Sequence, residues 1–552
     1  MAQVRDKLRL FRYTEARSAD RENCIPHRYM LAVLGAIGLL PVVGGRKCFA
    51  MVLTHTTSRN TQHQASDLFF SDCHEVNVSN STPVQMSGDT MFLLHATYFA
   101  GSPFLQLPGA IIAARLSPTR VIGCSVLITS VISLMVPLVL QTNTTLLFLL
   151  RFMQGAAEGL QQPASVGLLS VWCTDKDRTR LFGIYFTGEA PFLLWHLNLH
   201  TSINNVIGGE FTTCTGAYFA PVLASVVTGF TLCYVTWACS LYIYGGFGVL
   251  WSVVWLCTIY DTPDLHPSLT TEERFLHQQH GPQRTTRRKT LGSIPWKSLV
   301  TSGPVWAVFV GNFCRTFIYS MLVVEQPQFY KDAFNLNAAD VSGLVLINSN
   351  TSKLIGLVTT LPHVGLSASC AVGGMVSDRL LAWGMSTTTT RKLLYSTGNG
   401  VEGLCLLALY LAIDWRAAIT LISLGVTIGG YGPLPADMAP EFAGVVAGLC
   451  ALGTIGAIVN AVLASVMTGM SRSLSDWQTL FLISGLVQLT GVFIFNVIAK
   501  AERQPWADYT LHTEEEEKFC RNVGALRNED ELFVSSDLET TPLKSSRQLT
   551  KY

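Results

Sequence analysis

The stretch RFMQGAAEGLQQP, residues 151–163, places an arginine and a glutamate inside a long apolar segment. Seven positions separate Arg151 from Glu158, which is about two helical turns, so both side chains project from one face of a helix. A charge at the centre of a membrane-spanning helix costs roughly 2.5–3.5 kcal/mol, so such residues usually face a bundle interior or a water-filled path. Gly155 and Gly159 form a small-xxx-small pair that lets a second helix approach closely. The stretch therefore predicts an inner helix of a membrane bundle.

Arg151 and Glu158 have two interpretations. They form a structural salt bridge that fixes helix register, with each other or with neighbouring helices, or they belong to a polar path. Further ionisable residues lie in or at the ends of apolar segments, which favours the path. These residues are Arg46, His95, Arg315 and His363.

The composition bounds the class of protein. Hydrophobic residues make up 49% and charged residues 14% of the 552, and the mean hydropathy is +0.35. These values are typical of a polytopic membrane protein and exclude a soluble enzyme. The fourteen cysteines form no CxxC or Cys/His cluster, so the sequence predicts neither a metal site nor a disulfide framework, and no cofactor. The first 28 residues are polar and basic, so we expect no removable signal peptide.

Apolar segments of membrane-spanning length give the fold class. The candidate spans are residues 29–53, 91–113, 121–140, 146–171, 211–230, 234–259, 305–324, 361–376, 393–413, 418–434, 442–467 and 480–499. We therefore predict an all-α membrane protein with twelve transmembrane helices in two six-helix halves.

The polar segment 260–303 divides six spans from six and predicts a cytosolic loop between the halves. Residues 189–210 and 346–359 are too polar to span and are interpreted as extra loop material, with a displaced or lengthened helix as the alternative. The predicted regions are an N-terminal tail (1–28), the two halves (29–259 and 304–500), the loop between them and an acidic tail (501–552).

Lysine and arginine cluster in the N-terminal tail, in alternate connections and in the central loop, which predicts that both termini are cytosolic. The sequons at Asn77, Asn80 and Asn143 all fall in segments assigned to the opposite side, where glycosylation occurs. These three asparagines are the glycosylation candidates.

Several motifs resemble the vesicular glutamate transporter branch of the organic-anion transporter family (sodium/phosphate, sialin and vesicular glutamate carriers), within the major facilitator superfamily. The resemblance covers residues 26–508 apart from the two extra stretches. Its motifs are RFMQGAAEG (151–159), GNFCR (311–315), TTTTRK (387–392), DMAP (437–440), DWQ (476–478) and ERQPWAD (502–508). The first span, GGRKCFA (44–50), departs from the family pattern because Lys47 and Phe49 replace small and amide residues.

The resemblance implies alternating access around an anion site between the halves. It implies that Arg46 and Arg315 bind the carboxylates of the substrate, and that His95, Arg151 and Glu158 act in coupling and in ion sensing. The implied partners are a small organic anion, the lipid bilayer and, as coupled or regulatory ions, protons, chloride, sodium or phosphate; nucleic acid is not among them. The implied location is a synaptic or secretory vesicle membrane, with the plasma membrane as the alternative.

The chemistry of these residue types agrees with an anion substrate. A dicarboxylate or acidic sugar sheds water to cross, and guanidinium groups replace that hydration with forked hydrogen bonds. The alternative for Arg46 and Arg315 is that each caps a helix or snorkels to its end. A lone histidine such as His95 is as often a hydrogen-bonded packing residue as a titrating one.

We therefore expect a transporter of organic anions that takes up glutamate, driven by membrane potential. The alternatives are a proton- or sodium-coupled symporter of another anion, such as an acidic sugar or phosphate, and a non-transporting membrane protein that uses the scaffold to bind partners.

Overall fold

The computed structural model describes the following residues: 27–58, 88–173, 181–182, 185, 219–267, 294–334, 373, 376–377, 379–412, 414–425, 434–468 and 473–507. Every regular element within them is helical, as the prediction of an all-α protein requires. The extra stretches 189–210 and 346–359, the sequons at Asn77 and Asn80, and His363 lie outside these residues. Residues 1–502 form one compact unit, and residues 503–552 form another, of which a short 3₁₀ turn, Pro505–Ala507, is described.

The helices of the first half match the predicted spans closely. The first span is helix α1, a π-helical segment and helix α2, and it is followed by five longer helices. Their bounds are α1 His27–Leu39, π Leu40–Gly44, α2 Gly45–Ser58, α3 Gly88–Arg115, α4 Pro118–Leu140, α5 Thr144–Trp172, α6 Phe219–Tyr234 and α7 Trp237–Thr258.

The second half repeats the pattern, beginning with a short helix and then a long span that also contains a π-helical segment. The bounds are α8 Trp296–Thr301, α9 Gly303–Tyr319, π Ser320–Glu325, α10 Gln326–Phe334, α11 Thr387–Leu409, α12 Trp415–Gly425, α13 Leu434–Met438, α14 Ala443–Ala451, α15 Ile455–Thr468 and α16 Leu474–Ile498. The predicted eighth span, 361–376, lies almost entirely outside the described residues.

Six of the described helices are long and apolar enough to cross a membrane. They correspond to the predicted first, third, sixth, seventh, eleventh and twelfth spans. Helices α3 and α5 have 28 and 29 residues, which is also long enough, but they are less apolar. Helix α5 carries Arg151 and Glu158, and helix α3 carries His95, so the polar residues that lower their hydropathy are the predicted site residues.

Both π-helical segments lie beside a proline. Pro41 is inside the first segment, and Pro327 follows the second by two residues. Proline has no N–H to donate to the carbonyl four residues earlier, so the chain around it readily adopts wider turns. These segments interrupt the first span of each half just before its most polar residues.

Small residues allow helices α3 and α5 to pack backbone to backbone. A Cβ built on Gly155 would overlap the carbonyl oxygen of Tyr98, and one on Gly159 would overlap the carbonyl oxygen of Ser102. The small-xxx-small prediction for these glycines is therefore confirmed by the packing. This close contact fixes Arg151 and Glu158 relative to helix α3.

The two halves touch near both ends of the bundle. The proximal end holds the start of α1 and the end of α5. There, a Cβ built on Gly444 of α14 would lie 3.1 Å from the carbonyl oxygen of Pro163 and 3.3 Å from the Cα of Gly167, both on α5. At the distal end, Ala50 and Tyr98 of the first half form one apolar cluster with Val324 and Ala457 of the second half. The described residues of the two halves thus contact each other on both sides of the polar residues described below.

We expect the substitution Gly155→Ala to remove most of the folded protein, because its methyl group would overlap main-chain atoms that cannot rotate away. Fluorescence-detected size-exclusion chromatography measures the folded yield. The control is Gly246→Ala on helix α7, where a Cβ meets nothing within 4 Å. Equal folded yields of the two variants would contradict this account of the α3–α5 contact.

Candidate functional site

Arg46 is held at the boundary between the halves. Its Nη2 forms an ion pair with Oε1 of Glu158, and its Nε donates to the Tyr98 hydroxyl over 3.2 Å. The guanidinium also lies over three aromatic rings, with its Cζ 5.1 Å from the centroid of Tyr98, 5.7 Å from Phe99 and 5.6 Å from Tyr319. Tyr319 belongs to the second half. Arg46 is only 8% exposed, so it neither snorkels nor caps a helix end.

Arg151 lies beside this pair but is bound differently. Its Nη1 donates to Oε1 of Gln154 over 2.6 Å, and Gln154 in turn donates to Ser133 on helix α4 over 3.0 Å. Its Cζ lies 3.9 Å from the ring centroid of Phe49 and 4.6 Å from that of Tyr98. The other two nitrogens, Nε and Nη2, are buried and have no hydrogen-bond partner among the described residues. These two N–H groups form the edge with which a guanidinium binds a carboxylate in bidentate fashion.

His95 is buried next to Arg151. Its ring stands edge-on to Phe49, with 6.0 Å between the ring centroids, and it lies within the electrostatic field of the Arg151 guanidinium. Helix α3 therefore brings His95 to the same place as the two charged residues of helix α5.

Arg315 forms a second polar group in the other half. It interacts electrostatically with Glu402 on helix α11, whose Oε2 accepts a hydrogen bond of 2.6 Å from Gln488 on helix α16. Gln488 also donates to Asn399 over 2.9 Å. Arg315 is four positions before Tyr319, the residue whose ring faces Arg46, so the two residues lie on the same face of helix α9.

A third polar group crosses from one half to the other. Lys47 is fully buried, and its Nζ donates to Oε1 of Gln326 over 3.2 Å. Glu325, the residue before Gln326, accepts hydrogen bonds from Asn460 over 3.1 Å and from Ser320 over 3.4 Å. The sequence predicted no buried role for either charge.

The charges of these three groups leave a positive excess. Four cations face three carboxylates, which gives a formal sum of +1. Within the described residues, neither Arg151 nor Lys47 has a carboxylate as a hydrogen-bond partner, and Arg151 also has two buried nitrogens without an acceptor. The cations are Arg46, Lys47, Arg151 and Arg315, and the carboxylates are Glu158, Glu325 and Glu402. An anion that enters this region would complete the charge balance.

The structure brings together four of the five residues predicted to bind substrate or to act in coupling: Arg46, His95, Arg151 and Glu158. The sequence left open whether Glu158 pairs with Arg151 on its own helix or with a residue of a neighbouring helix. In the structure it pairs with Arg46 on helix α2. The third glycosylation candidate, Asn143, is exposed and caps helix α5, accepting from the Leu146 N–H over 3.2 Å.

Some of the polar residues were missed from the sequence. Glu402 lies inside the predicted ninth span and Glu325 one residue beyond the seventh, so a search for every charge in a span would have found them. Gln154 and Gln488 are neutral amides, and no pattern in the sequence distinguishes them.

Comparison with known proteins places this arrangement in a family. The sequence model of the protein family described as Major Facilitator Superfamily matches residues 33–190 and 212–449. The chain belongs to the major facilitator superfamily. Proteins of this superfamily are transporters, so this chain is a membrane transporter and not an enzyme.

Several proteins are similar to this superfamily member over most of their length. The human (Homo sapiens) vesicular glutamate transporter 2 is 27% identical over 504 residues, covering 89% of this chain and 77% of that protein. The bovine (Bos taurus) vesicular glutamate transporter 1 is 28% identical over 526 residues, covering 93% and 84%. A solved structure of the E. coli fucose:proton symporter is 13% identical with a TM-score of 0.47, covering 85% of this chain and 98% of that one.

We expect Glu158→Gln to destabilise the folded transporter by about 2–3 kcal/mol, because it leaves Arg46 buried without a counter-charge. The thermal unfolding midpoint of the purified protein measures the change. The double variant Arg46→Gln with Glu158→Gln is expected to recover most of the loss, since it removes both charges. Asp414→Asn, at an exposed carboxylate, controls for loss of negative charge. A midpoint for Glu158→Gln equal to that of the control would show that the ion pair contributes nothing.

Proposed function

We propose that this transporter carries organic anions, takes up L-glutamate into vesicles driven by membrane potential, and works by alternating access. The similarity to vesicular glutamate transporters supports the substrate, and the positive excess between the halves supports its charge. The proposed location is a synaptic or secretory vesicle membrane, with both termini in the cytosol and the glycosylation candidate Asn143 on the opposite face.

The observation that carries the proposal is the unpartnered edge of Arg151. A buried guanidinium without a counter-charge is costly in a membrane protein, and no described residue supplies an acceptor to Nε or Nη2 of Arg151. A carboxylate group supplies two acceptor oxygens and one negative charge. It therefore satisfies both nitrogens and the formal charge sum in a single contact.

Arg46 and Arg315 are the proposed partners of the substrate carboxylates, one from each half. Arg46 is already paired with Glu158, and Arg315 interacts with Glu402. An anion that binds between the halves therefore competes with a glutamate at each arginine. Binding would release Glu158, which gives Glu158, together with His95 and Arg151, a role in coupling substrate binding to the movement of the halves.

A second function is a proton- or sodium-coupled symporter of another anion, such as an acidic sugar or phosphate. Buried carboxylates in transporters mark ion pathways and proton relays. Glu325 is 1% exposed and has only neutral hydrogen-bond partners, which favours this second function. A third function, partner binding without transport, rests on the stretches 189–210 and 346–359. Uptake that appears only after these stretches are deleted would support the third function.

We expect the purified protein in liposomes to accumulate labelled glutamate when an inside-positive potential is imposed without a pH or sodium gradient. An anion moves toward the positive side, so potential alone supplies the driving force. Scintillation counting of filtered liposomes measures uptake, and protein-free liposomes give the background. Accumulation only under a proton or sodium gradient would reject this coupling and support the symporter.

The variant Arg151→Lys is the matched test of the site within the same assay. It keeps the positive charge but removes the bidentate edge, so uptake is expected to fall by at least about tenfold. The control is Arg115→Lys, at an exposed arginine that ends helix α3. Equal uptake by the two variants would exclude bidentate binding at Arg151.

A further inference from the structure

Lys47 is a charge in an unusual setting. It is 0% exposed, and within the described residues it has one hydrogen-bond partner, the neutral amide of Gln326. The two residues are 279 positions apart and belong to the first spans of opposite halves. A buried ammonium with one neutral acceptor is far from balanced, because burial removes its hydration and a single amide replaces little of it.

Glu325 has the opposite charge and a similar setting. Its carboxylate accepts only from Asn460 and Ser320, and no cation lies within ion-pair distance of it among the described residues. The amide oxygen of Asn460 is itself buried and unpartnered. Glu325 directly precedes Gln326, so the two unbalanced charges are separated by the single amide that Lys47 contacts.

A π-helical segment lies next to each of these two charged residues. A π-helical segment, Ser320–Glu325, ends at Glu325, and another, Leu40–Gly44, ends three residues before Lys47. A π segment accommodates an extra residue, and its loss or movement shifts the helix register by one residue, which rotates the following side chains by about 100°. Such a shift in the seventh span would bring Glu325 to the place that Gln326 holds now.

We propose that Lys47 and Glu325 form an ion pair between the two halves, made and broken as the distal end of the transport path closes and opens. In the present conformation the amide of Gln326 occupies the place of the carboxylate. Tightening of the distal contact replaces that amide with Glu325. The pair balances two buried charges in the conformation in which the distal end is closed. This proposal does not depend on which anion is carried.

The test is a double-mutant cycle on the unfolding midpoint of the purified full-length protein, with uptake in liposomes as a second readout. Lys47→Gln and Glu325→Gln are each expected to lower the midpoint by several degrees and uptake by at least about tenfold. The reason is that each variant leaves one buried charge without its counter-charge in the conformation in which the pair forms. The double neutral variant is expected to recover the midpoint. The exchanged variant, Lys47→Glu with Glu325→Lys, is expected to recover the midpoint and part of the uptake.

The matched control combines Lys47→Gln with Asp332→Asn, which removes a carboxylate from helix α10 that accepts from Gln328 over 2.6 Å. Its effects on the midpoint are expected to add. The ion pair is excluded if the Lys47 and Glu325 effects also add, or if both single variants match the wild type. Should the exchanged variant fail to fold, the neutral double variant decides between these outcomes. A wild type that transports no glutamate would reject the proposed substrate and leave the midpoint cycle unaffected.

Discussion

The structure depends on the balance of charges buried between the two halves. Arg46, from the first span, and Glu158, from the fourth, are 112 positions apart in sequence and meet at the interface. Tyr319 of the second half closes over the same guanidinium. A charge buried in this place is costly unless another group compensates it, and Glu158 supplies that counter-charge for Arg46.

Arg151 is an exception to this balance, as are Lys47 and Glu325. Gln154 and Ser133 fix the orientation of Arg151, and the rings of Phe49 and Tyr98 pack against its guanidinium. Its Nε and Nη2 nevertheless have no acceptor in the part of the chain that the structure describes. The backbone contact at Gly155 allows no large adjustment of helix α5 that would relieve this. Within the described residues, the helices that carry the site are therefore held in fixed positions, while the positive charge of Arg151 has no counter-charge. A bound anion would supply that counter-charge.

The contacts between the two halves suggest how the halves move. Their contacts at the proximal end run through small residues, such as Gly167 and Gly444, which slide past each other with little cost in packing. Their contacts at the distal end lie next to two π-helical segments, where the helix can change register. Rocking about the polar groups between these ends would expose them to one side at a time.

The sequence was sufficient for the helical architecture and for the residues of the first half's polar group. Length and hydropathy set the spans, and a charge in an apolar segment is conspicuous, so Arg46, His95, Arg151 and Glu158 were all identified. The partner of Glu158 was not predictable, because helical spacing relates residues within one helix and says nothing about which helix lies opposite. The π-helical segments were also hidden, since a span that is apolar all round carries no periodic signal. The proximity of Lys47 and Glu325 was not predictable, because they belong to different spans and lie far apart in the sequence.

The most direct test of the central claim is a cryo-electron microscopy structure of the protein with the anion that it accumulates most rapidly. We expect density for the anion within hydrogen-bond distance of Nε and Nη2 of Arg151, and a weakened contact between Arg46 and Glu158. An anion bound away from these arginines, or an Arg151 edge that stays without an acceptor at saturating anion, would contradict the claim that unbalanced charge between the halves forms the substrate site.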